Sequence, residues 1–323
     1  MATATLTNSE MRVIPLAEAD LSALERLFDE QCEEWLSLFK WDYSGPSRLI
    51  REVARHQELS GYVAVACDQT VGFSFYVIED YRCSIGDIYV SRAWRGRGAD
   101  RQMARAIIDR LSRLPRMSRI ESQCVSVGND AASDLFEARS FKRYDRFYML
   151  ADTQEFAPEP ARYESRHAFD IAVRPWQDDD FADAARIIRR SYRGEPDSLI
   201  NSQYRTEAGC AELLSILTDH IWCGDFLPRV SRVAVDRASG ARVGVLIASR
   251  IAGRSGHIGQ ISIVPPYQKR GIGRRMIEAA LSEFKGRGFT TASLAVTAAN
   301  FSALHLYQSC GFKTVHRFPV FYK

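Results

Sequence analysis

The 323-residue sequence predicts a mixed α+β fold made of two copies of one domain, because two blocks of it recur. The segment Ile85–Arg95 aligns without gaps on Ile258–Gln268, at an offset of 258 − 85 = 173 residues. A second block begins at Asn129 in the first copy and Asn300 in the second, at a nearly equal offset of 300 − 129 = 171 residues. Separate blocks that recur at one period indicate an internal repeat.

The repeat sets the predicted domain boundaries. Residues 1–150 are predicted to form the first domain and residues 169–323 the second, and the length of the chain suits two domains. Residues 151–168 contain Pro158 and Pro160 with mixed charges and no periodic apolar pattern. This stretch is therefore predicted to be a linker.

The elements of the second copy are each predicted from a local pattern. A period near 3.6 indicates a helix, whereas alternation or a short apolar run bounded by turn residues indicates a strand. In order, the pattern predicts strand 171–175, helices 178–192 and 208–219, strands 231–236, 242–249 and 257–264, helix 273–285, strand 290–297, a helix capped by Asn300 and a strand from Phe312. This order predicts a mixed sheet with a strand–helix–strand crossover at its centre.

The bulk composition argues against several classes of protein. With 46% hydrophobic and 26% charged residues the chain is typically globular, and a net charge of +3 argues against a general nucleic-acid surface. The seven cysteines are scattered, which predicts reduced thiols and neither a disulfide framework nor a metal site. Without signal-peptide features or a long apolar run, we expect a cytoplasmic protein with no membrane partner, as a monomer or homodimer.

The glycine loop Gln268–Gly273 is the main candidate for a binding site. Backbone N–H groups at the start of a helix are unpaired and carry partial positive charge, so they bind pyrophosphate well. Gly271 and Gly273 would let phosphate oxygens approach. Charge at the rim would come from Lys269, Arg270, Arg274 and Arg275. The alternative is an ordinary tight turn before an amphipathic helix with solvated charges.

A second motif lies downstream at the spacing Asn300…Leu306-Tyr307…Gly311-Phe312. Together with strand 257–264 and the loop Gln268-x-x-Gly271-x-Gly273, it resembles the GCN5-related N-acetyltransferase (GNAT) superfamily. With the repeated strand order, the resemblance covers nearly the whole chain apart from the linker. It implies two tandem acyl-CoA N-acyltransferase domains, of which 169–323 is the catalytic one.

The resemblance also implies acetyl-CoA as the co-substrate and a primary amine of a small molecule or peptide as the acceptor. The amides of the strand would bind the pantetheine arm, the glycine loop would hold the pyrophosphate, and Tyr307 would protonate the departing thiolate. The alternative for Tyr307 is an ordinary aromatic on a helix face. The implied cofactor-binding residues are Ile261, Ser262, Ile263, Gln268, Lys269, Arg270, Gly271, Ile272, Gly273, Arg274 and Asn300.

The first copy departs from the same motifs at three positions. Asp100 stands where the second copy has Gly273, and its carboxylate would repel a phosphate. Phe136 replaces Tyr307, and Ser140 replaces the glycine expected at a left-handed helix end. We therefore expect a degenerate, non-catalytic first domain, although its retained loop Arg95–Gly98 leaves weak or structural CoA binding open.

The sequence does not single out the base that would deprotonate the amine. In related ribosomal-protein N-terminal acetyltransferases a strand glutamate stands at the position of Ala295. His257 is expected to be solvated, and water-mediated proton loss remains as plausible as any one side chain. Further candidates that cannot be ranked lie in the acceptor-side segment 193–227, and they are Glu195, Tyr204 and Asp225.

Two aromatic groups have open interpretations. Trp222 and Phe226 could shape the acceptor pocket, but we expect them in the core. The run from Trp35 to Tyr43 could form a pocket wall or an interdomain contact. The alternative function is an acyl-CoA-binding sensor or scaffold without turnover, which the missing carboxylate base slightly favours.

Overall fold

The computed structural model describes residues 11–123, 130–157, 170–218 and 222–323. The α+β fold class is confirmed, since strands and helices alternate along the chain in a mixed sheet. In order, the elements are β1 (Arg12–Pro15), α1 (Leu21–Phe39), α2 (Ser44–Arg55), β2 (Ser60–Ala66), β3 (Gln69–Glu79), β4 (Arg82–Val90), α3 (Ala99–Leu111), β5 (Arg119–Ser122), α4 (Asp130–Ala138), β6 (Lys142–Asp152), β7 (Ile171–Pro175), α5 (Phe181–Ser191), α6 (Asp197–Ile200), α7 (Glu207–Thr218), β8 (Asp225–Phe226), β9 (Arg232–Asp236), β10 (Arg242–Ala252), β11 (Ser255–Ile263), α8 (Ile272–Gly286), β12 (Thr291–Thr297), α9 (Phe301–Ser309) and β13 (Lys313–Tyr322).

The chain divides into two compact units that exchange short segments. Unit 1 is drawn from Met1–Glu34, Pro46–Asp145 and Phe318–Lys323, and unit 2 from Trp35–Gly45 and Arg146–Arg317. Cutting the chain at the predicted linker would therefore remove the last strand segment from unit 1. Most of that linker, residues 158–168, lies outside the described residues, and the boundaries drawn from the repeat remain predictions.

Unit 1 contains the sheet order β1-β2-β3-β4-β5, and the end of β13 pairs with β5 through Phe321 and Tyr322. Neighbours are antiparallel except β4 and β5, which α3 connects as a parallel crossover. Helix α3 packs Met103, Ile107 and Leu111 into the core, and their spacing of four residues places them on one helix face.

Unit 2 contains the sheet order β6-β12-β11-β10-β9-β7, with β8 paired to β10. The parallel pair β11 and β12 is joined by the crossover helix α8, as the strand–helix–strand pattern predicted. Helix α8 buries Met276, Ala280 and Phe284 against the sheet. Gly256 permits this packing, because a Cβ there would lie 2.2 Å from a ring carbon of Phe284.

The two central strands of unit 2 separate before they end. The parallel ladder pairs Ser255–Ile258 with Thr291–Leu294, and within the described residues it extends no further. Beyond Gly259, which is the extra residue of a bulge against β10, β11 stays with β10 while β12 stays with β6. The strand ends before Pro265 and Pro266, which have no backbone N–H to donate, but the separation begins earlier, at this bulge.

The described helices and side-chain clusters show neither a membrane span nor a metal cage. None of these helices is long and apolar enough to cross a bilayer. Across the described ranges, no three or more His, Cys, Asp or Glu side chains are grouped to hold a metal ion. Cys124 lies outside the described residues, and no disulfide joins any of the other six cysteines.

The end of helix α4 carries backbone strain that a single substitution should relieve. Ser140 has φ of 65°, and its counterpart in the second copy, Gly311, has φ of 90°. A side chain in this left-handed region costs roughly 1–2 kcal/mol. Glycine removes that cost, but part of the gain is offset because glycine loses more conformational entropy on folding. We expect Ser140→Gly to raise the free energy of unfolding by about 0.5–1 kcal/mol in urea titrations.

A matched control for this prediction is Ser112→Gly at the end of α3. Ser112 has φ of −65°, and its hydroxyl donates a hydrogen bond to the carbonyl oxygen of Asp109. Glycine there relieves no strain and removes a bond, so stability should fall. Equal effects of the two substitutions would contradict the strain argument.

Candidate active site

Unit 2 contains a cleft of about 810 Å³ where β11 and β12 separate. It runs from the glycine loop and the first turns of α8 and α9 to the end of α5 and the start of α6. Ten of the residues predicted from sequence line it together, and they are Ile261, Ser262, Ile263, Gln268, Lys269, Gly271, Gly273, Arg274, Asn300 and Tyr307. The side chains of Arg270 and Ile272 lie elsewhere, since Arg270 donates to the carbonyl of Pro266 and Ile272 is buried in the core.

The glycine loop turns through the left-handed region to begin α8. Gly271 is the N-cap residue with φ of 76°, and Lys269 before it has φ of 58°. Gly273 sits in the first turn, where a Cβ would lie 3.1 Å from Leu306 Cδ2 and 3.4 Å from Ile263 Cδ1. The missing side chain therefore allows α9 to approach the start of α8 and leaves the N-terminal amides facing the cleft.

Side-chain contacts fix the position of this loop. Tyr267 donates a hydrogen bond of 2.7 Å to Asp236 Oδ2 on β9. Gln268 donates one of 2.8 Å to the carbonyl oxygen of Ile263. Arg274 donates to Ser309 Oγ at 2.7 Å, and Lys269 is exposed at the rim. The loop thus presents two cations and a helix N-terminus, which is a suitable site for a ligand with several phosphates.

Asn300 and Tyr307 lie on α9, which forms one wall of the cleft. Asn300 Oδ1 accepts a hydrogen bond of 3.1 Å from the backbone N–H of Ala303, so it caps the helix as predicted. Tyr307 is 7% exposed. Burial, with smaller contributions from Tyr192 and Asp197, raises the pKa of Tyr307 far above its usual range. Its hydroxyl therefore stays protonated in the free protein.

Tyr192 lines the opposite end of the cleft and stacks on Tyr204, which does not line it. The two rings lie 3.9 Å apart between centroids. Tyr204 donates to Gln260 Oε1 at 3.2 Å, and Gln260 Nε2 donates to Tyr192 Oη at 3.1 Å. Burial raises the pKa of Tyr192 to about 12 and that of Tyr204 well above its usual value. Neither phenol is a base at neutral pH, which removes Tyr204 as a candidate.

Asp197 and Arg146 are cleft residues that the sequence reasoning missed. Asp197 is 6% exposed, and its Oδ1 accepts a hydrogen bond of 2.8 Å from Thr297. Arg146 Nη2 lies 3.6 Å from the same oxygen. Asp197 falls within the predicted acceptor segment, but an acidic residue after Pro196 also suits an ordinary helix start. Arg146 belongs to the first copy by sequence, and its register opposite Thr297 has no local signal.

The remaining candidate bases have different environments. Glu195 lines the cleft and is exposed, whereas Asp225 lies on β8 and does not line it. The expectation that His257 is solvated is wrong, because its ring is 8% exposed and Nδ1 lies 2.8 Å from Ser293 Oγ. Burial lowers the pKa of His257 to about 4, so it stays neutral.

The structure also gives the positions of the aromatic residues whose roles the sequence left undecided. Trp222 is 42% exposed, so the expectation that it lies in the core is wrong. Phe226 is half-buried with its ring 5.9 Å from that of Trp176. Trp35 stacks on Tyr43 at 4.2 Å within unit 2, and neither residue lines the cleft.

The corresponding loop of unit 1 has the same backbone but different partners. Gly98 has φ of 83° and caps α3 as Gly271 caps α8. Arg95 donates to Glu34 Oε1 at 2.7 Å, so a carboxylate of the same unit holds its guanidinium. Asp100 is 3% exposed, and Phe136 is buried with its ring 4.6 Å from that of Phe321. Carboxylates of unit 1 thus stand at this loop, with Asp100 at the position of Gly273 in the second copy.

Comparisons with known proteins agree with this geometry. The family model described as "Acetyltransferase (GNAT) family" matches residues 21–141 and 199–312, which is more than half of the chain. An Escherichia coli K12 protein, [Ribosomal protein bS18]-alanine N-acetyltransferase, is 42% identical over 52 residues. That match covers 16% of this chain and 35% of the relative.

Two solved structures share the fold along most of the chain. A GCN5-related N-acetyltransferase from Sphaerobacter thermophilus superposes with a TM-score of 0.65 at 20% identity, covering 96% of this chain and 95% of the other. A tandem GNAT protein from the clavulanic acid biosynthesis pathway superposes with a TM-score of 0.56 at 15% identity, covering 97% and 98%. With both halves matched by the family model, the chain belongs to the acetyltransferase (GNAT) family.

Proposed function

We propose that unit 2 transfers an acetyl group from acetyl-CoA to a primary amine in the cleft between β11 and β12. The observation that carries this proposal is the convergence of the glycine loop, the separated strands and Tyr307 on one cleft of about 810 Å³. The three features come from different segments of the sequence. Acyl transfer from a long phosphorylated thioester requires that they lie together in one cleft.

The lining of the cleft fits acetyl-CoA along its length. The N-terminus of α8, with Lys269 and Arg274 beside it, suits the pyrophosphate. Strand β11 beyond Gly259 has no partner strand on its β12 side within the described residues, so its backbone groups suit the amides of a pantetheine arm. The capping contact of Asn300 uses its side-chain oxygen, which leaves the NH₂ group to contact the ligand.

The chemistry follows from this placement. The lone pair of a neutral amine attacks the acetyl carbon, the carbon–sulfur bond breaks, and the products are an amide and CoA thiol. Tyr307 donates a hydrogen bond to the departing sulfur. Because burial raises the pKa of Tyr307 above that of a thiol, we expect it to stabilise the thiolate and retain most of its proton.

The acceptor class is tested directly by a thiol-release screen. Purified protein is incubated with acetyl-CoA and a panel of peptides with free N-termini, polyamines, aminoglycosides and amino acids. The panel includes a peptide beginning with alanine, because the Escherichia coli relative acts on alanine of a ribosomal protein. Acceptor-dependent release of CoA thiol, with an acetylated product of the expected mass, supports the proposal. CoA binding without turnover on every acceptor would favour a sensor.

A further inference from the structure

We propose that Asp197 receives the acceptor as an ammonium ion and removes its proton, so that the substrate is a basic aliphatic amine. This inference rests on the proposed function and concerns the same cleft. It assigns the proton acceptor that the sequence left open, since Ala295 stands where related enzymes have a glutamate.

Asp197 lines the cleft with one of its two carboxylate oxygens already anchored. The residue is 94% buried, being 6% exposed. Thr297 and Arg146 both contact Oδ1, and no hydrogen bond to Oδ2 is found among the described residues. A buried carboxylate that lines a substrate cleft with one oxygen anchored is suited to bind an ammonium group through the other.

Asp197 and Tyr307 line the same cleft, Asp197 at the start of α6 and Tyr307 on α9. The charge of Asp197 adds to the effect of burial and of Tyr192 in raising the pKa of Tyr307. The carboxylate therefore lies within electrostatic range of Tyr307. An amine bound to Oδ2 would sit near the acetyl group whose sulfur contacts Tyr307.

Charged and titratable groups from several elements lie around Asp197. Arg146 on β6 supplies the adjacent positive charge. Tyr192 at the end of α5, Tyr204 on the turn Ser202–Arg205 and Tyr307 on α9 are all neutral at assay pH because burial raises their pKa values. Glu195, before α6, adds negative charge at the cleft that also favours a cationic acceptor.

The proton balance is complete without another reactant. An N–H bond of the ammonium breaks, its electron pair stays on nitrogen as the nucleophile, and the proton moves to Asp197 Oδ2 and then to solvent. After the carbon–nitrogen bond forms, the nitrogen loses a second proton, which ends on the CoA sulfur. An ammonium ion and acetyl-CoA thus give an amide, CoA thiol and one released proton.

The test is the pH dependence of kcat/KM for Asp197→Asn, with the panel acceptor of highest wild-type kcat/KM. The wild type takes up the ammonium form, so its kcat/KM should be level from pH 6 to the pKa of the acceptor. The variant must use amine already deprotonated in solution, so its kcat/KM should rise about tenfold per pH unit. At pH 7 we expect kcat to fall about 10²- to 10⁴-fold, with CoA affinity unchanged.

Two further variants distinguish a proton acceptor from a structural residue. Asp197→Glu keeps a carboxylate and should keep the level profile at a reduced rate. Asp225→Asn, the same change in the same segment but away from the cleft, should match the wild type. A level profile in Asp197→Asn, or a loss that is equal at every pH, would overturn the assignment. Absence of turnover by the wild type on the whole panel would instead overturn the proposed function.

Discussion

Replacing Tyr307 with phenylalanine is expected to lower kcat about 10- to 100-fold while the affinity for CoA stays nearly constant. A hydrogen bond to a charged group contributes about 1.5–3 kcal/mol, and each 1.4 kcal/mol is about tenfold in rate. The ring of Tyr307 is 7% exposed and packs 6.2 Å from that of Phe312. Phenylalanine keeps this packing, so the variant should fold and lose the hydroxyl alone.

The raised pKa of Tyr307 also determines how the loss in kcat depends on pH. Because the phenol remains protonated throughout an assay from pH 6 to pH 9, the loss should be the same at every pH. Steady-state kinetics and calorimetric titration with CoA measure the two quantities separately. The matched control is Tyr81→Phe, an exposed tyrosine of unit 1, which should be silent. Wild-type kcat in Tyr307→Phe would remove this residue from the chemistry.

Placing the first-copy residue into the second copy should abolish useful CoA binding. Gly273→Asp puts a carboxylate in the first turn of α8, where the pyrophosphate is expected. Two unit charges at 4 Å repel by about 4 kcal/mol at an effective dielectric near 20, and half of that weakens binding about 30-fold. An acidic residue stabilises the first turn of a helix, so this loss should not arise from unfolding of α8.

Two control variants separate the effect of the added charge on CoA binding from the effect of the added side-chain volume. Gly273→Asn has nearly the same size without the charge, so it reports the crowding against Leu306 alone. Gly253→Asp adds the charge at a turn where a Cβ meets nothing within 4 Å, and it should leave CoA binding intact. The difference in CoA affinity between Gly273→Asp and Gly273→Asn should become smaller as salt is added, because screening weakens charge repulsion. Equal affinities for those two variants would contradict a phosphate site at Gly273.

Local motifs predicted the half of the cleft that is proposed to contact the co-substrate. The sequence around Gln268–Gly273 specifies strand, turn and helix start within a few residues, and Asn300 and Tyr307 share one short helix. The physical reason is that glycine conformation, helix capping and helical spacing are determined by near neighbours in the chain. Ten of the predicted residues therefore line one cleft.

The acceptor half could not be predicted in the same way. Arg146 reaches the cleft because β6 pairs with β12 at Thr297, and a strand pairing between distant segments leaves no signature in either one. Asp197 is recognised as a site residue only from its burial beside Arg146 and Thr297. For the same reason the sequence did not indicate that Phe318–Lys323 completes unit 1, where Phe321 pairs with Ser122.

The binding properties of the glycine loop of unit 1 also depend on contacts with residues distant in the chain. Glu34 holds Arg95, and Glu30 accepts a hydrogen bond of 2.6 Å from the backbone N–H of Arg92. Both carboxylates come from α1, far along the chain from the loop they contact. With Asp100 buried in the first turn of α3, unit 1 supplies its own anions where a phosphate would otherwise bind.

The most direct test of the central claim is the stoichiometry of CoA binding to the full chain by calorimetric titration. If unit 2 performs acyl transfer and unit 1 has no phosphate site, one CoA should bind per wild-type chain and none to Gly273→Asp at the same concentrations. Two CoA molecules per wild-type chain, or one retained by Gly273→Asp, would contradict the placement of the site in unit 2.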